Sequence, residues 1–562
     1  VKGAMAAMEV DPPTSAPAGS APLFDPAVSP MPPNPPPRFI PSETRIVYEE
    51  PYVPEAEDDD LGYNVPDRAA APPPQAPPQA RLAPHEQVVT FVRVTQADVP
   101  IPTLDELQVG RRLGPAGEPC LAEGCYDPDL QAEVLALRTK LGDADEQALL
   151  RARAACNPYE LVGSACFINR AAVKLANLDA LYELSTPHDL DLDEGVVRAV
   201  DGDELCFLDI CGGPGGFVEY LYWRRGYQRC RGWGITLRAE GAPDYNLGRF
   251  GAHAQPRTFA PVYGPDGTGD VRSADNVQTL VREVAMATPG QLGAHLAVAD
   301  GAFKDETGDQ EAACKRLLLC EVLVALGCVR PGGRFVCKLF DTTSRFTVGL
   351  LYLLYVHFEA LSITKPFSSR PFNSERFVVC VGLRSQSRGV FRYLLEVNSK
   401  LERMERARTA GGTAPAGGDG EGAEAQDVLE IVPWETIQGD TAFVEYLKSR
   451  SIEIAGAQAR ALRLLNGVLE GAAPPPLRQP EVRKRCLDTW RLPQPETYAE
   501  GQQPPPPEKA VAVAAAAELA PPVAPAPPRA GLQAAASIGG TRIDDFRSAP
   551  SEGSRGGAQR PL

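Results

Sequence analysis

Two lysines and two carboxylates are the side chains of this 562-residue sequence best suited to chemistry. Lys338 is the most informative. It lies inside the apolar run RFVCKLF, Arg334 to Phe340, between Cys337 and Leu339. Lysine is rarely buried unless it is paired or working. Burial and neighbouring cations lower its pKa and nearby carboxylates raise it, so a lysine placed there can be tuned toward general-base work. Asp300 ends a second apolar run, HLAVA, His295 to Ala299, where α/β sheets bind ligands. Lys174 falls on a helical segment and Glu375 in the polar stretch 368–376. Two lysines and two carboxylates neutralise one another while orienting one amine toward a substrate hydroxyl. Taken singly, each has a structural alternative: Lys338 as an edge residue reaching solvent, Asp300 as a helix N-cap. The case rests on the four together.

A ligand for that group is expected above FLDICGGPGGF, Phe207 to Phe217. An apolar strand ends in Asp209, four glycines turn the chain, and a helical segment follows. Glycine allows backbone to approach a ligand closely, and the ligand would lie at the strand's carboxyl end against the helix N-terminus. The loop lacks GK[ST], which argues against a phosphate cradle of the Walker type, and it departs from the G-x-G-x-x-G spacing of nicotinamide sites.

The elements that must position these residues alternate. Helical periodicity around Ala171, Leu175, Leu178 and Tyr182 precedes the Gly-rich strand, and WGITL (233–237) reads as the next strand. Residues 240–276 are loop-like. Helices are expected over 277–287, 311–329 and 346–359, with strands at 295–299, 334–340, 361–365 and 377–383. QVVTFVRVT (87–95) reads as an isolated strand, and 441–449 and 455–470 as two helices. Strands alternating with helices predict an α/β fold: a mostly parallel Rossmann-like sheet with helices on both faces and an antiparallel edge hairpin. That layout is the usual one of class I S-adenosylmethionine-dependent methyltransferases. A sulfonium donor carries an activated methyl, so the enzyme need only deprotonate and align a hydroxyl such as that of a sugar.

Composition sets the bounds. The 56 prolines crowd the ends, so 1–104 and 496–562 are expected to be disordered. Residues 105–150 form a helical, acidic lead-in, 151–408 the catalytic domain, 409–427 a flexible linker and 428–495 a helical extension. The four residues ahead of Met5 read as extraneous. The net charge of −17 lies largely outside the middle: residues 301–400 carry 14 Lys/Arg against 9 Asp/Glu, so a polyanionic partner is compatible with an acidic chain. Thirteen scattered cysteines suggest reduced thiols, and the lone C-x4-C of Cys120 and Cys125 makes no zinc site. No signal peptide, membrane span or metal site is expected. Trp223, Arg224, Arg225 and Arg229 read as a solvated helix face. Phe303, Phe340 and Phe346 are candidates to stack on a base, with Phe340 read as core.

NPYELVGSACFINRAAVKLANLD, DICGGPGGFVEYLYWR, VADGAF, GGRFVCKLFD and KPFSSRPFNSERFVVC resemble the eukaryotic cap-specific mRNA (nucleoside-2′-O-)-methyltransferase 1 family, of the FtsJ-like superfamily. The resemblance spans roughly 130 to 495. It implies a catalytic tetrad of Lys174, Asp300, Lys338 and Glu375, with Lys338 as base. It implies S-adenosyl-L-methionine held at Asn169, Asp209, Cys211, Gly212, Gly213, Pro214, Gly215, Gly216, Phe217, Asp270 and Val271. It implies RNA or cap contacts at Arg138, Arg153, Asp309 and Asn373. The substrate implied is 7-methylguanosine-capped mRNA, methylated on the first nucleotide. The second cap nucleotide, another RNA, or a non-catalytic RNA-binding role are the alternatives. A nuclear location, and tails that meet the transcription or capping machinery, are further expectations. The G-patch and WW modules of animal relatives are not recognisable in the sequence.

Overall fold

The computed structural model describes residues 89–93, 100–106, 108–111, 120–191, 196–199, 204–227, 229–246, 248, 258–303, 309–384, 387–410 and 426–494. The Pro-rich ends and nearly all of the Gly/Ala-rich linker lie outside them. Strands β1 (Val92–Arg93) and β2 (Gln108–Arg111) precede helices α1 (Pro128–Thr139), α2 (Glu146–Cys156) and α3 (Arg170–Tyr182). A small hairpin, β3 (His188–Asp191) with β4 (Val196–Ala199), leads to β5 (Leu205–Ile210), α4 (Gly216–Arg224), β6 (Cys230–Ile235) and β7 (Phe259–Pro261). Next come α5 (Ala274–Ala287), β8 (Ala294–Ala299), α6 (Gln310–Cys328), β9 (Val329–Leu339) and α7 (Arg345–His357). β10 (Phe358–Thr364), β11 (Arg376–Leu383), α8 (Ser387–Ala410), β12 (Gln426–Glu430), α9 (Trp434–Gly439), α10 (Thr441–Leu469) and α11 (Gln479–Thr489) complete the order.

The main sheet runs β1-β10-β11-β9-β8-β5-β6-β7. Its β9-to-β7 part is parallel, while β11 runs antiparallel to both β9 and β10. The chain winds outward from β5 to β7, then returns to β8 on the other side of β5. That reversal opens a crevice above the carboxyl ends of β5 and β8, the usual ligand position in open α/β sheets. Both faces are covered, so β5 and β8 are buried along their whole length rather than alternating with polar residues.

Strand alternation decides which face each site residue takes. Cys206, Leu208, Ile210, Ala297, Ala299, Phe335 and Cys337 belong to the core under α5, α6 and α7. Leu205, Phe207, Leu296, Val298, Val336, Phe377 and Val379 belong to the opposite core, shared with α3, α4 and α11. Continuing the second series by steps of two gives Asp209, Asp300, Lys338 and, backwards from Phe377, Glu375. All four therefore point to the α3 side, and Lys174 comes from α3 itself.

Several expectations need correction. β1 is not isolated: Val92 pairs with Leu361 of β10, so the antiparallel hairpin is not the sheet edge. The region before residue 104 therefore contributes to the fold. The lead-in 105–150 is not simply helical, because β2 pairs with β12 across the linker. Two such short strands carry no readable period. The two helices expected after 440 are one, α10. The solvated face expected around Trp223 is absent: Gly216 through Trp223 of α4 are all buried, because the C-terminal extension wraps its outer side. There Trp490 is fully buried and its carbonyl accepts from Arg224 at 2.6 Å. Arg224 also donates to Tyr220 and faces Asp179, so it is a clamp and not a solvated residue. Among the described residues no helix is long and apolar enough to cross a membrane.

Candidate active site

Four side chains from distant parts of the chain meet at the sheet's carboxyl edge. Lys338 Nζ lies 3.0 Å from Asp300 Oδ1 and donates to the Asp300 carbonyl at 2.8 Å. Lys174 Nζ donates to Glu375 Oε2 at 2.7 Å and Asp300 Oδ2 at 3.4 Å. The strand ladder sets this spacing: Ala299 pairs with Cys337, and Lys338 with Phe377, so Asp300 and Glu375 flank Lys338 from either side. Ser369 donates to the free Oε1 of Glu375. The four charges balance, as charges this buried must.

Burial would lift the Glu375 carboxyl, but Lys174 and Lys338 hold it down to about 2. Burial would likewise lower Lys338, but Asp300 and Glu375 overcome it and keep the ammonium above its ordinary value. The expected readiness to act as base is therefore absent in the free protein: Lys338 starts as a cation. Its ammonium donates to the Asp300 carbonyl and pairs with the Asp300 carboxylate.

The Gly-rich loop abuts the tetrad. A Cβ on Gly212 would lie 1.8 Å from Asp209 Oδ2, on Gly213 1.9 Å from the Pro243 carbonyl, and on Gly216 2.0 Å from Asn169 Oδ1. Gly215 has φ 109°, which opens α4 as only glycine readily does. Asn169 caps α3, accepting from Ala171 N–H at 3.0 Å, so the N-termini of α3 and α4 converge on one point. Gly213 N–H donates to Thr236 Oγ1 at 3.2 Å, and a Cβ on Gly269 would touch the Thr236 carbonyl. The 269–271 turn thus belongs to the same cradle, although the Asp270 carboxylate is tied to Arg272 and the Val271 side chain is core. Cys211 (φ 58°) and Pro214 form the turn itself, and Phe217 packs into the α3-side core. Asp209 is fully buried with neither carboxylate oxygen hydrogen-bonded; burial and Asp300 push its pKa well up. A buried acceptor beside a loop with no room for side chains fits a ligand that brings its own cation and donors.

The expected RNA contacts divide. Arg138 reaches the end of β9, pairing with Asp341 at 3.5 Å. Arg153 of α2 faces Arg370 of the 368–376 loop; its pKa is lowered by burial and then by that like charge. Asp309 caps α6, and neighbouring Glu311 is buried against Thr343 and Ser344; both serve the fold. The Asn373 carbonyl groups accept from Lys365. Phe346 is core at 1% exposure, whereas Phe340, expected in the core, is only half-buried beside Lys338. Among the described residues no cluster could hold a metal ion, and all thirteen cysteines are free thiols.

Lys365 was not foreseen. Burial pushes its pKa down to about 7, yet Nζ donates to Asn373 O, Asn373 Oδ1 and Glu375 O. Only an ammonium supplies three donors, so in this structure Lys365 is charged and fixes the loop that carries Glu375. Its place next to Pro366, at a strand end, was the available signal.

Fold and site together are an open, mostly parallel α/β sheet with a charged cluster and a Gly-rich loop at the carboxyl ends of its strands. Residues 167–383 match the family model of the FtsJ-like methyltransferases. The chain is 38% identical to cap-specific mRNA (nucleoside-2′-O-)-methyltransferase 1 of Danio rerio over 366 residues, covering 64% of this chain and 42% of the relative. It is 36% identical to the Homo sapiens protein of that name, covering 65% and 42%. A Caenorhabditis briggsae relative named an inactive cap-specific mRNA (nucleoside-2′-O-)-methyltransferase 1B is 35% identical, covering 66% and 43%. The chain thus spans less than half the length of these curated relatives.

Proposed function

We propose that this chain transfers the methyl of S-adenosyl-L-methionine to the ribose 2′-hydroxyl of the first transcribed nucleotide of 7-methylguanosine-capped mRNA. The observation that carries the reading is the balanced cluster of Lys174, Asp300, Lys338 and Glu375 beside the Gly-rich loop. When bound, the donor supplies a methyl activated by a positively charged sulfur. The Asp209 carboxyl, the α3 and α4 N-termini and the 269–271 turn would hold it. Asp300 and Glu375 keep Lys174 and Lys338 in place. Lys338 orients the hydroxyl and takes up its proton as the oxygen acquires the methyl. To do so, its ammonium must first lose a proton, and binding of a cation nearby favours that loss. Arg153 and Arg370 face each other as like charges, an arrangement that a phosphate between them would relieve.

Purified chain should label capped RNA from methyl-labelled donor, with the label on the first nucleotide. Equal labelling of uncapped transcript, or label on the second nucleotide, would shift the reading to another RNA site. A second reading, a non-catalytic RNA-binding subunit, is favoured by the kinship to a relative named inactive; donor binding without any labelling would support it. The nuclear location, and contact of the tails with transcription or capping machinery, are expectations of the resemblance, open to imaging and pull-down.

A further inference from the structure

The strand ends that carry Asp300 and Lys338 are gripped from the other side of the sheet by one carboxylate. Glu321, midway along α6, is 1% exposed. Its Oε1 accepts from the N–H of Gly301, the residue after Asp300, at 3.1 Å. Its Oε2 accepts from the thiol of Cys337, the residue before Lys338, at 3.4 Å. A Cβ on Gly301 would come within 2.3 Å of Oε1, so glycine at that position admits the carboxylate. With Lys338, Cys314 and Phe340, Glu321 also lines a small pocket.

We infer that Glu321 is a positioning residue for Lys338: it fixes the spacing of the two strand ends, and its charge governs how readily the Lys338 ammonium releases a proton. The inference rests on the methyl-transfer reading of the site. Lys338 is faced by Asp300 from β8, Glu375 from the segment before β11, and Glu321 from α6, with Lys174 from α3 behind the two outer carboxylates. Glu321 is faced by Lys338 and Cys337 from β9, Asp300 from β8, Cys211 from the Gly-rich loop and Cys320 from its own helix. Burial pushes Glu321 up to about 7, with Lys338 pulling the other way. Glu375 stays ionised throughout the neutral range, so Glu321 is the neighbour of Lys338 whose charge changes there. Ionised, it retains the Lys338 proton; neutral, it relaxes that hold.

The test compares the full-length chain with Glu321→Gln, following methyl transfer to capped oligonucleotide across pH. Glutamine keeps an oxygen for Gly301 N–H and removes the charge. The rising limb of kcat against pH should move to lower pH by roughly one unit, the effect of one charge a few ångströms away in a partly screened site, with the plateau retained. A limb that stays where it was, with the plateau kept or lost, overturns the inference. Glu321→Asp keeps the charge but draws it back from both strand ends, so it should lower the plateau and leave the limb in place. It carries the test if the glutamine variant does not fold, and a wild-type plateau in it would overturn the positioning role. NMR titration of the Lys338 amine in wild type and Glu321→Gln reads the same shift without turnover. A chain that binds donor yet transfers nothing would then sink the functional reading alone, and an unshifted amine would sink this one.

Discussion

Replacing Lys338 by methionine is the sharpest test of the site. Methionine keeps most of the stem volume and removes the ammonium. In the structure that ammonium has two contacts to Asp300, at 3.0 and 2.8 Å, and it opposes burial in keeping Glu375 ionised. Losing it leaves Lys174 alone to balance two carboxylates, so the site gains a negative charge but keeps the Lys174 pairs. Donor binding, held by the loop and the helix N-termini, should survive. On the proposed reading the chemical step would lose its proton acceptor, worth roughly 10²- to 10⁴-fold, or about 3 to 5 kcal/mol of barrier. Single-turnover methyl transfer to capped RNA, with donor affinity measured separately by calorimetry, isolates that step. In wild type the rate should climb with pH, because Lys338 is held above its ordinary value of 10.5 and only the neutral amine accepts a proton. By linkage, the stability contributed by its ion pairs is complete below that ordinary value and is lost as pH rises through the higher folded one. Activity within tenfold of wild type in Lys338→Met, with donor binding intact, would refute the assignment. So would a wild-type rate that is flat from neutral to alkaline pH.

Other perturbations follow from the same geometry. Glu375, held at about 2 against an ordinary 4.5, contributes on the order of 3 kcal/mol of stability. That stability is present above about 4.5 and lost as pH falls through about 2. Acid unfolding of Glu375→Gln should therefore be less steep than that of wild type in this window, and identical slopes would contradict the ion-pair account. Gly212→Ala places a methyl 1.8 Å from Asp209 Oδ2 and should abolish donor binding in calorimetry while far-UV circular dichroism is unchanged. Trp490→Ala empties a fully buried site and should cost about 3 to 5 kcal/mol, seen as a lower unfolding midpoint in denaturant.

Most of the parallel part of the fold was legible because its strands are short apolar runs bounded by turn residues; β7, three residues inside the stretch 240–276 read as loop, was not. Lys338 stood out for a related reason: a lysine among Cys337, Leu339 and Phe335 contradicts its surroundings, and the structure gathers Lys174, Asp300 and Glu375 around it. Pairings between distant short segments were not legible. Val92 with Leu361, and β2 with β12, are decided by tertiary contact alone. Nor could the charge state of Lys338 be read, since it depends on carboxylates 38 residues before it and 37 after, whose separation only the sheet register sets. Arg224 looked like a surface residue because its cover, Trp490, lies 266 positions away.

Strand alternation has a consequence for how this protein can vary. Asp209, Asp300, Lys338 and Glu375 share a face only because each stands an even number of steps from its core neighbours. A single-residue insertion or deletion within β9 would turn Lys338 toward α6 and bring an apolar neighbour into its place. A two-residue change would restore the facing but displace the amine along the strand by about 6 to 7 Å, beyond reach of Asp300. Loops outside the sheet can lengthen or shorten with little effect on this arrangement. Length change inside its central strands is incompatible with the ion-pair cluster, so gaps in homologous sequences that retain it should fall between these strands and not within them.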